Sequence, residues 1–411
     1  MLGEPGCFGT KYSSIEIPLL RDHHSHISLY AALEGCPSIS GLTKDEALRL
    51  LGAQPQDRLS IVLGWYSARL DFLPEELAVL PPVLIVNYSL HGMLLSGAAA
   101  ERLRDTDPEL VARHAEAQWC ERNLAAVLSL YGRFASLTAE KLRAYMERLA
   151  ALGVGLAEDM LILDEHALSV IQASPWGRDL RCWADPGAFQ AFSPINQKVV
   201  AGFKLFLDGA LAMSTAALSE PYRQGGSGIL LYSDEALQER LADLLCLGKP
   251  VAIHTIGGRA IEQAIAVLEI LEREGLRLPA VRLEHVEFID EAQARRAKEL
   301  GLTLCMQPNF SVESRDYADR LPASHLRSLN PFRMLIDRAG FRPGRDLWFG
   351  SDGMPHGAQA AWQWGLFPDH EGQRLTSEEL AQGYGLAVPG REGVRLRVDA
   401  DWRRVELLAE G

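Results

Sequence analysis

The sequence predicts an α/β protein built on a parallel sheet, with close to the strand number of an eight-stranded barrel. Three observations carry this reading. From about residue 199 onward, short apolar strand-like runs alternate with amphipathic helical runs, the pattern of βα units on a parallel sheet. Several of those runs end in a residue able to bind a metal or carry a proton, and in parallel barrels the chemistry sits at the C-terminal ends of the strands. The chain of 411 residues, 47% hydrophobic and 23% charged, has the composition of a globular enzyme with one large domain.

Taken in order, Ile15–Leu20 is the first strand-like run, and it leads into Asp22-His23-His24-Ser25-His26. Side chains on a strand alternate faces, so His24 and His26 aim at one point with Asp22 behind them, while His23 faces away. Neutral imidazoles suit zinc, copper, iron or nickel, and a nearby carboxylate can orient a ligating histidine. Ser60–Gly64 and Val83–Tyr88 are further strand candidates, one of them expected to belong to an excursion from the barrel. The stretch Gly97–Leu152, rich in Ala, Leu, Arg and Glu, reads as a helical insertion, being too long for a simple connection. Gly153–Ala157 is a strand, and Val199–Asp208 is another that carries Lys204.

Ser233-Asp234-Glu235 then opens a helix that ends near Gly248. Lys249–His254 is strand, Arg259–Glu274 helix, Ala280–His285 strand, Glu291–Leu300 helix, and Leu302–Met306 strand. Pro331–Ala339 is helical, and Asp346–Gly350 is the last clear strand of the sheet. Two alternating runs around Asp399-Ala400-Asp401 make Val394–Leu408 a hairpin. This gives about nine strand candidates, one more than a barrel needs. The expected organisation is a barrel over residues 15–387, with the helical insertion at about 97–152 and a small β remnant from 1–14 and 388–411.

A formal charge of −13 speaks against nucleic acid or an anionic membrane as partner, since both select a basic face. No apolar run approaches a membrane span, and Met1–Thr10 lacks the features of a signal peptide. Six scattered cysteines without CxxC spacing read as reduced thiols of a cytoplasmic protein, with Cys246 and Cys305 in the core. A small-molecule substrate is the expected partner, and the size suits a homodimer.

The polar residues at the strand ends belong together. Val251-Ala252-Ile253 ends in His254, Val281-Arg282-Leu283-Glu284 in His285, and Leu347-Trp348-Phe349-Gly350-Ser351 in Asp352. Singly, each histidine reads as a hydrogen-bonded core or rim residue, and Asp352 before Gly353 as a turn opener. Lys204 inside an apolar strand needs its own explanation, because a buried ammonium is costly unless paired or neutralised. Four strands delivering such residues to one rim favour a shared site over coincidence.

On these residues the chain resembles the amidohydrolase superfamily, and within it the YtcJ-like branch (amidohydrolase family 3). Asp22-His23-His24-Ser25-His26 matches that family's D-x-H-x-H. Phe203-Lys204-Leu205-Phe206-Leu207-Asp208-Gly209, with Thr215-Ala216-Ala217-Leu218 and Glu220-Pro221-Tyr222, resembles the lysine strand and its loop. Ile253-His254-Thr255-Ile256-Gly257, Arg282-Leu283-Glu284-His285 and Gly350-Ser351-Asp352 resemble the motifs of later strands. The resemblance implies a (β/α)8 TIM barrel of the metal-dependent hydrolase type holding one or two divalent metals. Zinc is the first expectation, with manganese, iron or cobalt as alternatives. His24 and His26 would bind one ion and His254 and His285 the other, with Lys204, as a carbamate, bridging them. Asp352 would be both ligand and catalytic proton carrier, and a metal-activated hydroxide would cleave a C–N bond of an amide or cyclic amide.

Three departures from the branch stand out. The β-sandwich that usually accompanies the barrel is expected to be missing or reduced to a remnant, Ser214 replaces an arginine of the lysine loop, and Gly258 replaces an aspartate after the fifth strand. These imply a distinct substrate pocket, for which His91, Arg259, Tyr222 and Gln307 are the candidate contacts. An esterase or lactonase using the same metals, and a catalytically inactive metal-binding barrel, remain as alternatives.

Overall fold

In the computed structural model, the described residues are 12–66, 69–278, 280–385 and 393–408. The early strands are β1 (Tyr12–Ile17), β2 (Leu20–Ser25), β3 (Ser60–Trp65), β4 (Val83–Asn87), β5 (Met93–Leu95), β6 (Val154–Ile162) and β7 (Cys182–Ala184). The later ones are β8 (Gly202–Phe206), β9 (Val251–Thr255), β10 (Val281–His285), β11 (Thr303–Met306), β12 (Leu347–Phe349), β13 (Val394–Asp399) and β14 (Arg404–Leu408). Eight of them, β2 and β6 through β12, form one sheet in that spatial order, with each paired neighbour parallel. The sheet curls until β12 meets β2, where the amides of Ser351 and Asp352 donate to the His24 carbonyl at 3.2 and 2.7 Å. The approach requires glycine at 350, because a Cβ there would lie 2.4 Å from the His24 amide nitrogen. The result is the nearly closed (β/α)8 barrel that the strand–helix alternation predicts.

Helices cover the barrel through apolar stripes. Gly258–Arg273 buries Ile261, Ala264, Ile265, Leu268 and Leu271, spaced three or four apart, and turns Glu262 outward. Burying each such leucine or isoleucine contributes about 1.5–3 kcal/mol. These side chains join the main core with Phe203, Val251, Ile253, Leu283 and Leu304 from the strands.

The structure corrects the strand assignment. Both early candidates, now β3 and β4, lie outside the barrel in a three-stranded sheet with β5. One face of the two closes on a separate core with Ile39, Leu51 and Leu70, and the other, through Ile61, Leu84 and Val86, packs in a cluster with Leu161 of β6. The eighth barrel strand is β7, three residues with no readable periodicity between two helical segments. The first predicted run also divides at Pro18: β1 pairs antiparallel with β13, which pairs with β14, and the barrel begins only at Leu20. The stretch Gly97–Leu152 is helical but broken into Gly97–Leu103, Pro108–Arg113, Ala117–Arg122, Leu124–Phe134 and Ala139–Ala151. Asp107-Pro108 restarts the chain there, since proline fits a first helical turn and not an interior.

Cys246 is exposed rather than in the core, whereas Cys305 is buried. The expectations for Met1–Thr10, Cys7 and the parts of the terminal remnant at 1–11, 388–392 and 409–411 lie outside the described residues. Among the described residues, no helix is long and apolar enough to cross a membrane.

Candidate metal centre

The rim at the C-terminal ends of β2, β8, β9, β10 and β12 collects the residues singled out above. His24 is the penultimate residue of β2, and His26 lies just beyond it, capping the helix Ile27–Ala32. Asp352 Oδ1 stands 3.6 Å from His24 Nε2 and 3.2 Å from His26 Nε2. Lys204 Nζ lies 3.4 Å from His24 Nε2 and 5.1 Å from the centre of the Phe206 ring. The His285 ring centroid is 4.6 Å from that of His24 and 4.5 Å from that of His254. The structure therefore brings His24, His26, Lys204, His254, His285 and Asp352 together. His285 and Asp352 both hold left-handed backbone, with φ of 69° and 56°, a conformation that non-glycine residues adopt mainly where surroundings enforce it.

Hydrogen bonds on the far side of each ring decide which nitrogen faces inward. His24 Nδ1 is 2.6 Å from Glu284 Oε2, so Nδ1 carries the proton and Nε2 keeps its lone pair for the centre. His285 repeats the arrangement, with Nδ1 donating to Gln307 Oε1 at 2.9 Å. For His254 the donor is Nε2, 3.2 Å from the Gly209 carbonyl, which leaves Nδ1 free. Burial foremost, aided by Lys204 and neighbouring imidazoles, holds His24 and His254 well below the usual histidine range. Burial with the Lys204 charge takes His285 down to about 3. All three are neutral at physiological pH, as a metal ligand must be.

Lys204 is 1% exposed, and burial lowers its ammonium to about 8 despite the opposing charges of Glu284 and Asp352. At Asp352, burial favours the neutral acid, but the hydrogen bond and charge of His26, with His285 and Lys204, outweigh it and hold the carboxyl below its ordinary range. An ionised carboxylate among neutral imidazoles is a donor set for a divalent cation. Ligand atoms of His24, His285 and Asp352 already lie within 4.8 Å of one another. The residues present fit the metal that the sequence motifs imply.

Beneath the rim lies a charged network that sequence reasoning passed over. Arg282, buried on β10, donates from Nε to Glu284 Oε1 at 2.5 Å and from Nη1 to Glu158 Oε2 at 3.2 Å. Its Nη2 donates to the His23 carbonyl at 3.0 Å, and its guanidinium stacks on Trp183. Glu158 also meets His23 Nδ1 at 3.1 Å and Trp183 Nε1 at 2.8 Å. The carboxylate orienting His24 is thus Glu284, not Asp22. Asp22 instead accepts from the Ser351 amide at 2.9 Å and its hydroxyl, tying β2 to the Asp352 loop. His24, Glu284 and Cys305 form a second cluster of ligand atoms within 4.8 Å. A guanidinium already occupies Glu284 there, and burial pushes the Cys305 thiol far up, so the cluster is not a cation site.

The four expected substrate contacts separate. His91 reaches the centre, its ring centroid 5.9 Å from that of His254, and its Nδ1 lies 2.8 Å from Glu121 Oε2. Burial opposes protonation of His91, but the charge and hydrogen bond of Glu121 raise it overall. Glu121, from the helical insertion, also accepts from Thr215 Oγ1 at 2.7 Å; no spacing in the sequence points to it. Gln307 is wholly buried and orients His285 rather than facing a substrate. The Tyr222 hydroxyl donates to the Ala216 carbonyl at 3.0 Å, and its ring packs with Leu211, Leu218 and Ile256. Arg259 Nη1 donates to Ser227 Oγ at 2.8 Å. Tyr222 and Arg259 therefore brace the loop after β8. Asp208 does the same, accepting from the amides of Ala217, Ile256 and Gly257 at 2.9, 3.0 and 2.8 Å.

Comparison with known proteins agrees with the fold. The model of the amidohydrolase family matches residues 17–362. A putative amidohydrolase, YtcJ, from Bacillus subtilis (strain 168) is 30% identical over 138 residues, 33% of this chain and 26% of that protein. The match thus spans about a quarter of that relative's length. The crystal structure of an uncharacterized metal-dependent hydrolase from Pyrococcus horikoshii OT3 superposes with a TM-score of 0.68 at 21% identity, covering 95% of this chain and 86% of that one. One from Pyrococcus furiosus gives 0.64 at 21% identity, covering 90% and 81%. Both show the same fold.

Proposed function

Because the chain belongs to the amidohydrolase family of metal-dependent hydrolases, we propose that it cleaves a C–N bond in an amide or cyclic amide of a small molecule. The divalent ion or ions, zinc in the first instance, would be held by His24, His26, Lys204, His254, His285 and Asp352. One observation carries the reading: an ionised Asp352 sits within 3.2 Å of His26 and 3.6 Å of His24 and keeps 18% of its side chain open.

A bound divalent ion supplies two things here, an acidified water, whose pKa can fall from 15.7 to about 7, and polarisation of a carbonyl. The protein's own residues supply the rest. Glu284 and Gln307 keep His24 and His285 in the tautomers that face the centre. Asp352 Oδ1 accepts a proton and returns it to the departing nitrogen, a task suited to a carboxylate that stays ionised between turnovers. Lys204, brought near neutrality by burial, is the amine that carbon dioxide converts to a carbamate, releasing a proton and providing two oxygen ligands.

Elemental analysis of protein purified without chelator should find about one to two divalent ions per chain. None, even after reconstitution with bicarbonate, would remove the metal centre from the argument. A panel of N-acyl amino acids, formamides, cyclic ureas and lactones, assayed with zinc or manganese, should show turnover of amides. Turnover of lactones alone would replace the C–N reading with the ester one. Asp352→Asn should abolish turnover while leaving much of the metal in place.

A further inference from the structure

A cavity of about 330 Å³ reaches the metal centre on the β7 side of the barrel. Its lining includes Lys204 and Phe206 of β8, Leu161 of β6, Asp185 just beyond β7, and the arginines Arg122 and Arg240. Lys204 and Leu161 are buried, Phe206 and Arg240 are half-buried, and Arg122 is exposed, so the cavity runs from solvent down to the centre. Phe206 is its link to the chemistry. The ring centroid lies 5.1 Å from that of His254, 6.2 Å from that of His91 and 5.1 Å from Lys204 Nζ. A volume of this size belongs to the range of small-molecule sites, about 300–1,000 Å³.

The acids that line the cavity are engaged in the fold. Glu121 Oε2 is 2.8 Å from His91 Nδ1, and Oε1 accepts from Thr215 Oγ1 at 2.7 Å. Asp185 caps the helix Pro186–Ala191, its Oδ1 accepting from the amides of Gly187 and Ala188 at 2.8 and 2.9 Å. The two arginines are not engaged. Among the described residues, Arg122 and Arg240 make no hydrogen bond and no ion pair. Acidic partners are not scarce, since the chain carries 54 aspartates and glutamates against 41 lysines and arginines. Arg122 ends the insertion helix Ala117–Arg122, and Arg240 lies on Asp234–Cys246, the helix that follows β8. Two unrelated elements thus bring an arginine each to one cavity, and that cavity also holds the lysine of the metal centre.

We propose that this cavity receives a carboxylate of the substrate, held by Arg122 and Arg240, while the scissile group lies at the metal centre. Of the charged groups along the lining, only these two are left without a local partner. A guanidinium presents five donors in a planar fork and no acceptor, and the fork matches the two oxygens of a carboxylate. The ligand that completes such a site brings acceptors and negative charge. A neutral molecule of the same size fills the volume and leaves both arginines as they are. The inference rests on the C–N reading and narrows it to amides or cyclic amides that bear a carboxylate.

The test uses the full-length, metal-loaded chain. Hydrolysis compares N-acetylated straight-chain ω-amino acids, glycine to 6-aminohexanoate, with the carboxamides of the same acids. At the chain length that spans from the centre to the arginines, kcat/KM should favour the acid by about tenfold or more. Arg122→Gln and Arg240→Gln should each lower that preference, and together bring it close to parity, with metal content unchanged. Calorimetric titration of butyrate, hexanoate and bicarbonate gives a readout besides turnover. The two longer acids should bind about tenfold more weakly to the double variant. Equal kcat/KM for acid and carboxamide at every length would overturn the inference and leave the C–N reading in place. So would an equal loss of preference in Arg104→Gln, an exposed arginine outside the cavity, since overall charge would then be the cause. Arginine-dependent binding of bicarbonate, but not of the longer acids, would give the cavity to the source of the Lys204 carbamate and overturn the substrate assignment. If neither acids nor carboxamides are hydrolysed while hexanoate binding still depends on both arginines, the C–N reading fails and the carboxylate site stands.

Discussion

Replacing Glu284 by glutamine tests whether His24 is held from below. Glu284 Oε2 lies 2.6 Å from His24 Nδ1, and Oε1 lies 2.5 Å from Arg282 Nε. Both neighbours are donors, and a carboxylate offers each an acceptor. Glutamine offers one, so its amide nitrogen must face either His24 or Arg282, donor against donor. Facing His24, it removes the bond that keeps Nε2 toward the centre. Partners of this kind weigh about 10–100-fold in metal affinity, or about 1.4–2.8 kcal/mol. Facing Arg282, it breaks one arm of a buried ion pair, for which about 3–5 kcal/mol is usual. The cost should fall at the lower end, because Glu158 Oε2 stays 3.2 Å from Nη1. Chelator competition should therefore show metal affinity reduced about 10–100-fold in the first arrangement, and denaturant unfolding of the metal-free protein a lowered midpoint in the second. The double variant Arg282→Met with Glu284→Gln removes the stranded cation. It also frees the glutamine oxygen to accept from His24 Nδ1, as Gln307 does for His285, so metal affinity and stability should both recover. If Glu284→Gln bound metal within about twofold of the parent and also unfolded at the parent's midpoint, the orienting role would be refuted.

Two further outcomes follow from the same geometry. Tyr222→Phe should cost about 1 kcal/mol of stability, for the lost hydrogen bond to the Ala216 carbonyl, and leave kcat/KM unchanged. A tenfold fall in kcat/KM at unaltered stability would instead place that hydroxyl on the substrate. Burial depresses Lys204 to about 8, so the neutral amine rises from about one-tenth at pH 7 to about nine-tenths at pH 9. At fixed dissolved carbon dioxide, metal loading of the stripped protein should rise over that interval in the same proportion, and a flat profile would exclude carbamate formation at this lysine.

The residues that meet at the rim were legible because each closes an apolar run, and strand direction in a parallel barrel sends run ends to one face. Nothing in that logic reveals what stands behind a ring. By its place past β11 Gln307 reads as a substrate contact, yet its carbonyl oxygen is taken by His285 Nδ1. A side chain just beyond a strand can turn into the pocket or back along the neighbouring strand, and spacing does not distinguish the two. The opposite holds for Arg282 and Glu284. They sit two apart on β10, hence on one face, between Val281, Leu283 and His285. Two opposite charges on one face of an otherwise apolar strand already demand an inward ion pair, so half of that network could be read directly. The other half, Glu158, lies 124 residues away in sequence, and only the closing of the sheet sets it opposite Arg282. The short strand β7 escaped for a related reason. With three residues it has no period of its own, and its place is set by β6 and β8, which hydrogen-bond to it from either side. Without it the count of eight could be reached only by borrowing β3 or β4. Those two strands instead bury one face against Leu51, Leu70 and Leu80 and, through Ile61, Leu84 and Val86, pack in a cluster with Leu161 of β6 without joining the barrel sheet.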